Sequence, residues 1–151
     1  MSFNIDKMIS PFIKALPPSG LAKFLEITAN NPNIVPLSVG EPDFDIPAKV
    51  RAACIDSLNA GKSNYTSTLG MLELREGVQY DPKTEIMVTV GVSEALDVVI
   101  RTIMVPDGEI IIPEPCYVAN KACIILAGGK PVPVETKLEN CFVPTITDLE
   151  K

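Results

Sequence analysis

Residues 86–134 read IMVTVGVSEALDVVIRTIMVPDGEIIIPEPCYVANKACIILAGGKPVPV, and the alternation within them decides the fold class. Ile86–Val90 is a short apolar run with the composition of a buried strand. Ser93–Met104 carries apolar residues at helical spacing, Glu109–Ile112 is strand-like again, Tyr117–Leu126 is helical, and Pro131–Val134 is a last strand. Strand, helix, strand, helix, strand with short connections predicts an α/β fold, mainly a parallel sheet with flanking helices. Pro131 and Pro133 cannot donate to a ladder, so the last strand is expected at an edge or at a strand end.

Before this block the chain is less regular. Turn clusters at Pro17-Pro18-Ser19-Gly20 and Asn30-Asn31-Pro32-Asn33 bracket a short helix supported by Leu21, Phe24, Leu25 and Thr28. An extended stretch, Ile34–Val39, runs into the turn Gly40-Glu41-Pro42-Asp43. From Pro47, which suits a first helical turn, Val50, Ala53, Cys54 and Leu58 fall on one face until Gly61 closes the helix. The entry into the main domain is therefore placed at residue 47, with 1–46 as an N-terminal arm. A loop through Asn64-Tyr65-Thr66-Ser67 precedes another helix, Met71–Glu76, which stops at Gly77.

Composition narrows the chemistry. With 151 residues, 46% of them hydrophobic, the chain has the length and apolar content of one globular domain. Its formal charge of -6, with basic residues scattered, argues against nucleic acid as a partner. The stretch MSFNIDKMISPFIKALPPSG is interrupted by charges where a signal peptide needs an apolar core, and no run is long enough to span a membrane; a soluble, cytoplasmic protein is expected. Cys54, Cys116, Cys123 and Cys141 form no CxxC pair and are expected to be ordinary buried thiols. The chain has no histidine, so histidine-based nucleophile systems and histidine-ligated metals are excluded within it. Chemistry here would rest on a cofactor.

Four places could hold one. At Gly91-Val92-Ser93 a strand is expected to enter a helix, which leaves backbone N–H groups and the positive end of the dipole facing an anion; plain capping by Ser93 fits the same residues. No GxGxxG or GxxxxGK[ST] loop is present. Tyr117 lies at the C-terminal end of a strand, where ligands settle in open α/β sheets, and could stack on a flat ring or simply pack on the sheet. Tyr65 could donate to a phosphate or lie on the surface. Gly40 could be only a tight turn.

In combination these segments are more specific. LSVGEPDFDIP (37–47), YTSTLGMLELRE (65–76), DPKTEIMVTVGVSEAL (81–96), IIPEPCYV (111–118) and ILAGGKPVPV (125–134) resemble, in this order, the N-terminal portion of class I/II aminotransferases of fold type I. The resemblance implies part of that fold, with 47–151 as the first part of the large domain that binds pyridoxal 5'-phosphate. It implies that Gly91, Val92 and Ser93 hold the cofactor phosphate and that Tyr117 stacks on the pyridine ring. Tyr65 would reach the phosphate of the neighbouring subunit in a homodimer, and Gly40 would lie beside the substrate carboxylate. The implied reaction moves an amino group from an amino acid to a 2-oxo acid.

Two departures qualify these expectations. The family's Schiff-base lysine lies far downstream, and Lys62, Lys121 and Lys130 stand in no Ser-x-x-Lys context, so the chain alone is expected to be inactive. Family members also continue the helix begun at Leu72 for several turns before a Gly-Val-x-Tyr-Asp-Pro turn. Here Gly77-Val78-Gln79-Tyr80-Asp81-Pro82 follows at once, so roughly a dozen residues are expected to be missing between 76 and 77, leaving a helix short by ordinary standards. A non-catalytic binding or dimerisation module that keeps the fold is the competing reading. A nucleotide-binding domain fits poorly, because the glycine spacing is wrong.

Overall fold

The structure, a computed structural model, describes residues 8–37 and 39–150. Ser38, within the expected extended stretch 34–39, lies outside them. The helices are α1 (Pro11–Ala15), α2 (Gly20–Ala29), α3 (Ala48–Asn59), α4 (Leu72–Arg75), α5 (Gly91–Ile103), α6 (Val118–Leu126) and α7 (Ile146–Leu149). The strands are β1 (Glu109–Glu114) and β2 (Lys130–Glu135), and a short 3-10 turn covers Leu138–Asn140. The helices expected near residues 21–28, 47–60, 71–76, 93–104 and 117–126 are all present. Elements α1, α7 and the 3-10 turn were not expected.

The sheet consists of β1 and β2 in parallel, with Glu109 opposite Lys130 and Glu114 opposite Glu135. Its connection through α6 is closed by two glycines. Gly128 adopts φ 85°, its N–H donates to Ile125 O at 3.0 Å, and Gly129 N donates to Ile124 O at 2.9 Å. A left-handed residue ending a helix in this way needs glycine, and it returns the chain directly to the sheet. Lys130 N then donates to Gly108 O at 2.8 Å and Thr136 N to Glu114 O at 2.8 Å. Both donors have even numbers, so Pro131 and Pro133 turn their imino nitrogens to the outer edge, where no donor is needed.

The small core lies between this sheet and two helices: Ile100 from α5, Ile112 from β1, and Cys123 and Ile124 from α6. Along β1 exposure alternates, with Ile110, Ile112 and Glu114 on the covered face and Ile111 on the other. On α5, Leu96, Ile100 and Met104 recur every four residues and make one stripe toward α6. Gly129 fits closely here: a methyl group on it would stand 2.5 Å from Met104 Sδ and 3.1 Å from Gly108 O.

Three expectations are corrected. Ile86–Val90 is not a strand; Val88 N donates to Leu69 O at 3.0 Å, and Met87, Val88 and Val90 are exposed. A strand needs ladder partners on its own sheet, and β1 pairs only with β2 among the described residues. The thiols are also not uniformly buried: Cys123 is, whereas Cys54, Cys116 and Cys141 are exposed. Finally, the apolar content is not converted into a core of matching size, because Val50, Leu58, Val92, Val99 and Ile103 are all more than half exposed.

The chain forms two compact units, one containing the described residues up to Glu26 together with those from Val90 onward, the other Ile27–Thr89. These bounds differ from the expected division at residue 47. In the second unit, the turn after α4 is closed by Gly77 N donating to Leu74 O at 3.3 Å and Val78 N to Arg75 O at 3.4 Å. Thr84 Oγ1 and Lys83 N both donate to the Asp81 carboxylate, at 2.7 and 3.0 Å, which holds its pKa below the ordinary value of 3.8.

Candidate functional site

The N-terminus of α5 begins the site. Gly91 has φ 74°, a conformation that costs an L-residue about 1–2 kcal/mol, and a methyl group there would meet nothing within 4 Å. The glycine is thus required by the backbone turn, and open space lies beside it. Val92 and Ser93 occupy the first turn, where N–H groups have no acceptor within the helix. Glu94 accepts a hydrogen bond from Val90 N, one residue outside that turn.

Tyr117 enters from the other side. It precedes α6 with φ -64° and ψ 131°, and its hydroxyl lies 3.0 Å from Ser93 Oγ. The two side chains are 24 residues apart in sequence and are brought together because α5 and α6 pack side by side. A second link reinforces the approach, with the Cys123 thiol directed at the Ser93 carbonyl at 4.0 Å. Burial, followed by the nearby Asp97 carboxylate, raises the Cys123 pKa above its ordinary 9.0, so this thiol is neutral and packs as an apolar group.

Beside Tyr117 runs a groove of about 580 Å³, walled by Leu16–Gly20 on one side and Glu114–Val118 on the other. Most of its wall is apolar, which suits a planar ring or an aliphatic chain more than a free ion. The Val92 and Ser93 amides and the Ser93 hydroxyl are donors that fit a phosphate, and the Tyr117 ring offers a face for a flat ring.

Gly40 and Tyr65 belong to the other compact unit. Gly40 is exposed, with nothing within 4 Å of a methyl group placed on it, and Tyr65 is fully exposed. The loop that carries Tyr65 is nevertheless anchored. Ser67 accepts from Leu69 N at 3.2 Å through its hydroxyl and from Gly70 N at 2.9 Å through its carbonyl; Arg75 Nε donates to Gly70 O at 3.3 Å. Gly70 has φ 92°, and a methyl group on it would stand 2.6 Å from Val88 Cβ. Gly70 and Arg75 were not singled out by sequence reasoning; a glycine followed five residues later by an arginine on a short helix was the available signal. Among the described residues no helix is long and apolar enough to cross a membrane, and no group of three or more His, Cys, Asp or Glu side chains could hold a metal ion.

Comparison with known proteins identifies the class to which this arrangement belongs. The family model for aminotransferase class I and II matches residues 32–151. The Bacillus subtilis aminotransferase homologue YugH is 42% identical over an alignment of 152 positions that covers 94% of this chain and 39% of YugH. Aromatic-amino-acid aminotransferase 2 of Thermococcus litoralis is 35% identical over 153 positions, covering 95% of this chain and 39% of its own. Among solved structures, the aspartate aminotransferase of Thermus thermophilus with maleate superposes with a TM-score of 0.80 at 35% identity, over 93% of this chain and 40% of that one.

The chain belongs to the class I and II aminotransferase family and has the architecture of the N-terminal portion of its fold type I members. It spans about two fifths of the length of the relatives it matches.

Proposed function

We propose that this chain supplies the phosphate-binding part of a pyridoxal-phosphate-dependent aminotransferase that moves an amino group from an amino acid to a 2-oxo acid. The observation that carries the reading is the 3.0 Å approach of Ser93 to Tyr117 at the opening of α5. When bound, the cofactor supplies a conjugated ring that acts as an electron sink. The protein's part is to bind and orient it. The Val92 and Ser93 amides and the Ser93 hydroxyl donate to the phosphate, the left-handed turn at Gly91 lets the backbone approach closely, and Tyr117 stacks on the ring.

Tyr65, fully exposed on an anchored loop, is assigned to the phosphate of a neighbouring subunit in a homodimer, and Gly40 to the side of the substrate carboxylate. Residues 1–46 are read as the arm and part of the small domain, and 47–151 as the start of the large domain. The location is taken as cytoplasmic, with neither nucleic acid nor membrane as partner. The chain alone is inactive in this reading, since none of its lysines stands in a Ser-x-x-Lys segment. A gap between Glu76 and Gly77 belongs to the same reading. The YugH alignment has 152 positions, whereas 94% of 151 residues is about 142, so about ten positions of the relative have no counterpart here. An intact mass set beside the gene tests this directly: a reading frame that joins Glu76 to Gly77 without intervening codons refutes it.

Binding is tested by titrating the chain with pyridoxal phosphate and with pyridoxal, followed by absorbance and tyrosine fluorescence. Saturable binding that depends on the phosphate, without turnover of amino acid and 2-oxo acid, is expected. Ser93→Ala should weaken it about tenfold, the effect of a lost hydrogen bond to a charged group. Equal affinity for pyridoxal and its phosphate would sink the proposal.

A further inference from the structure

We infer that the Tyr117 hydroxyl fixes the direction of the Ser93 hydroxyl, so that the two form a relay in which Tyr117 donates to Ser93 and Ser93 donates to a phosphate dianion. The inference rests on the phosphate reading of the α5 N-terminus and adds a role for Tyr117 that ring stacking does not contain.

The two hydroxyls carry one proton each. A serine hydroxyl has one proton and two lone pairs, and a tyrosine hydroxyl likewise both donates and accepts. At 3.0 Å between Ser93 Oγ and Tyr117 Oη, either can be the donor in the bare protein. Two arrangements therefore compete, and in one of them the only Ser93 proton is spent on Tyr117. The dianion of a phosphate monoester has acceptor oxygens only, so it engages the Ser93 hydroxyl solely as a donor. The hydrogen bond between the side chains is then left with one direction, from Tyr117 Oη–H to Ser93 Oγ. Donation into Ser93 polarises its own O–H and strengthens the bond to the anion, the cooperative effect of a hydrogen-bonded chain.

The structure holds both groups in position. Tyr117 is placed by the start of α6, Ser93 by the start of α5, and the Cys123 thiol on α6 faces the Ser93 carbonyl across the same junction. Tyr117 is thus a positioning residue toward the phosphate through its hydroxyl, independently of what its ring does.

The test uses methyl phosphate as the probe, because its dianion has acceptor oxygens only and it has no ring on which Tyr117 could stack. Binding to the chain, to Tyr117→Phe, to Ser93→Ala and to the double variant is measured by calorimetry, with circular dichroism as the check on folding. Tyr117→Phe is expected to weaken phosphate binding about five- to tenfold at pH 8, and Ser93→Ala at least as much. The double variant should bind no more weakly than Ser93→Ala, since Tyr117 acts through Ser93. The Tyr117→Phe effect should fade below about pH 6, where the monoester becomes a monoanion with a proton of its own. Affinity for pyridoxal, which has no phosphate, should not respond to the loss of the Ser93 hydroxyl. If Ser93→Ala weakens phosphate binding while Tyr117→Phe does not, or if the two losses add, the relay is overturned and the phosphate site stands. If the unaltered chain shows no saturable phosphate binding, the relay and the site reading fall together.

Discussion

Single residues control this site through backbone geometry as much as through functional groups. Gly91 is the clearest case, because a methyl group on it would meet nothing within 4 Å and the cost of a side chain comes from φ 74°. Gly91→Ala is therefore expected to cost about 1–2 kcal/mol in the conformation that binds the anion, read as a roughly tenfold loss of pyridoxal phosphate affinity with little change in helix content. Cys123 makes a different prediction. Its folded pKa is raised, so the folded state holds the thiol proton to higher pH than the unfolded chain does, and the associated stability is full below the ordinary value of 9.0 and lost as pH rises through the folded value. Chemical denaturation should show a midpoint that falls above about pH 9, and Cys123→Ala should flatten that fall; an unchanged slope in the variant would contradict the role given to this thiol.

At the scale of elements, two pairings matter. The parallel pair β1–β2 was legible from the strand–helix–strand order, because parallel neighbours need a crossover connection and α6 supplies it. The strand expected at Ile86–Val90 had the same composition and did not form, since a strand also requires a partner and composition does not supply one. That segment instead holds the Tyr65 loop through Val88 and Leu69. Gly70→Ala should therefore release the loop. It combines φ 92° with a methyl group 2.6 Å from a rigid β-branched side chain, a strain of about 2–3 kcal/mol. Amide exchange over residues 65–70 should accelerate, while α5, β1 and α6 stay as protected as before; unchanged exchange in the loop would contradict the anchoring.

For the whole molecule the decisive quantity is the apolar surface left exposed. The chain's apolar side chains are numerous enough for a domain, yet the bare faces of α3 and α5 leave them in water. Weak stability and concentration-dependent association are expected, visible as light scattering that grows with protein concentration and as a shallow denaturation curve. A soluble monomer that unfolds cooperatively and reversibly would contradict this.

By itself the sequence determined helices α2 to α6, the parallel pair, the edge position of β2 and the family, because these depend on local periodicity, on special residues such as glycine and proline, and on ordered motifs along one chain. It also pointed to Gly91, Ser93 and Tyr117 one at a time. Only the tertiary structure decided that Ser93 and Tyr117 meet, that Gly70 and Arg75 hold the Tyr65 loop, that Ile86–Val90 joins no strand ladder among the described residues, and that three of the four thiols are exposed. Those facts depend on distances between residues far apart in the chain and on which surfaces find a partner, and neither is set by local composition.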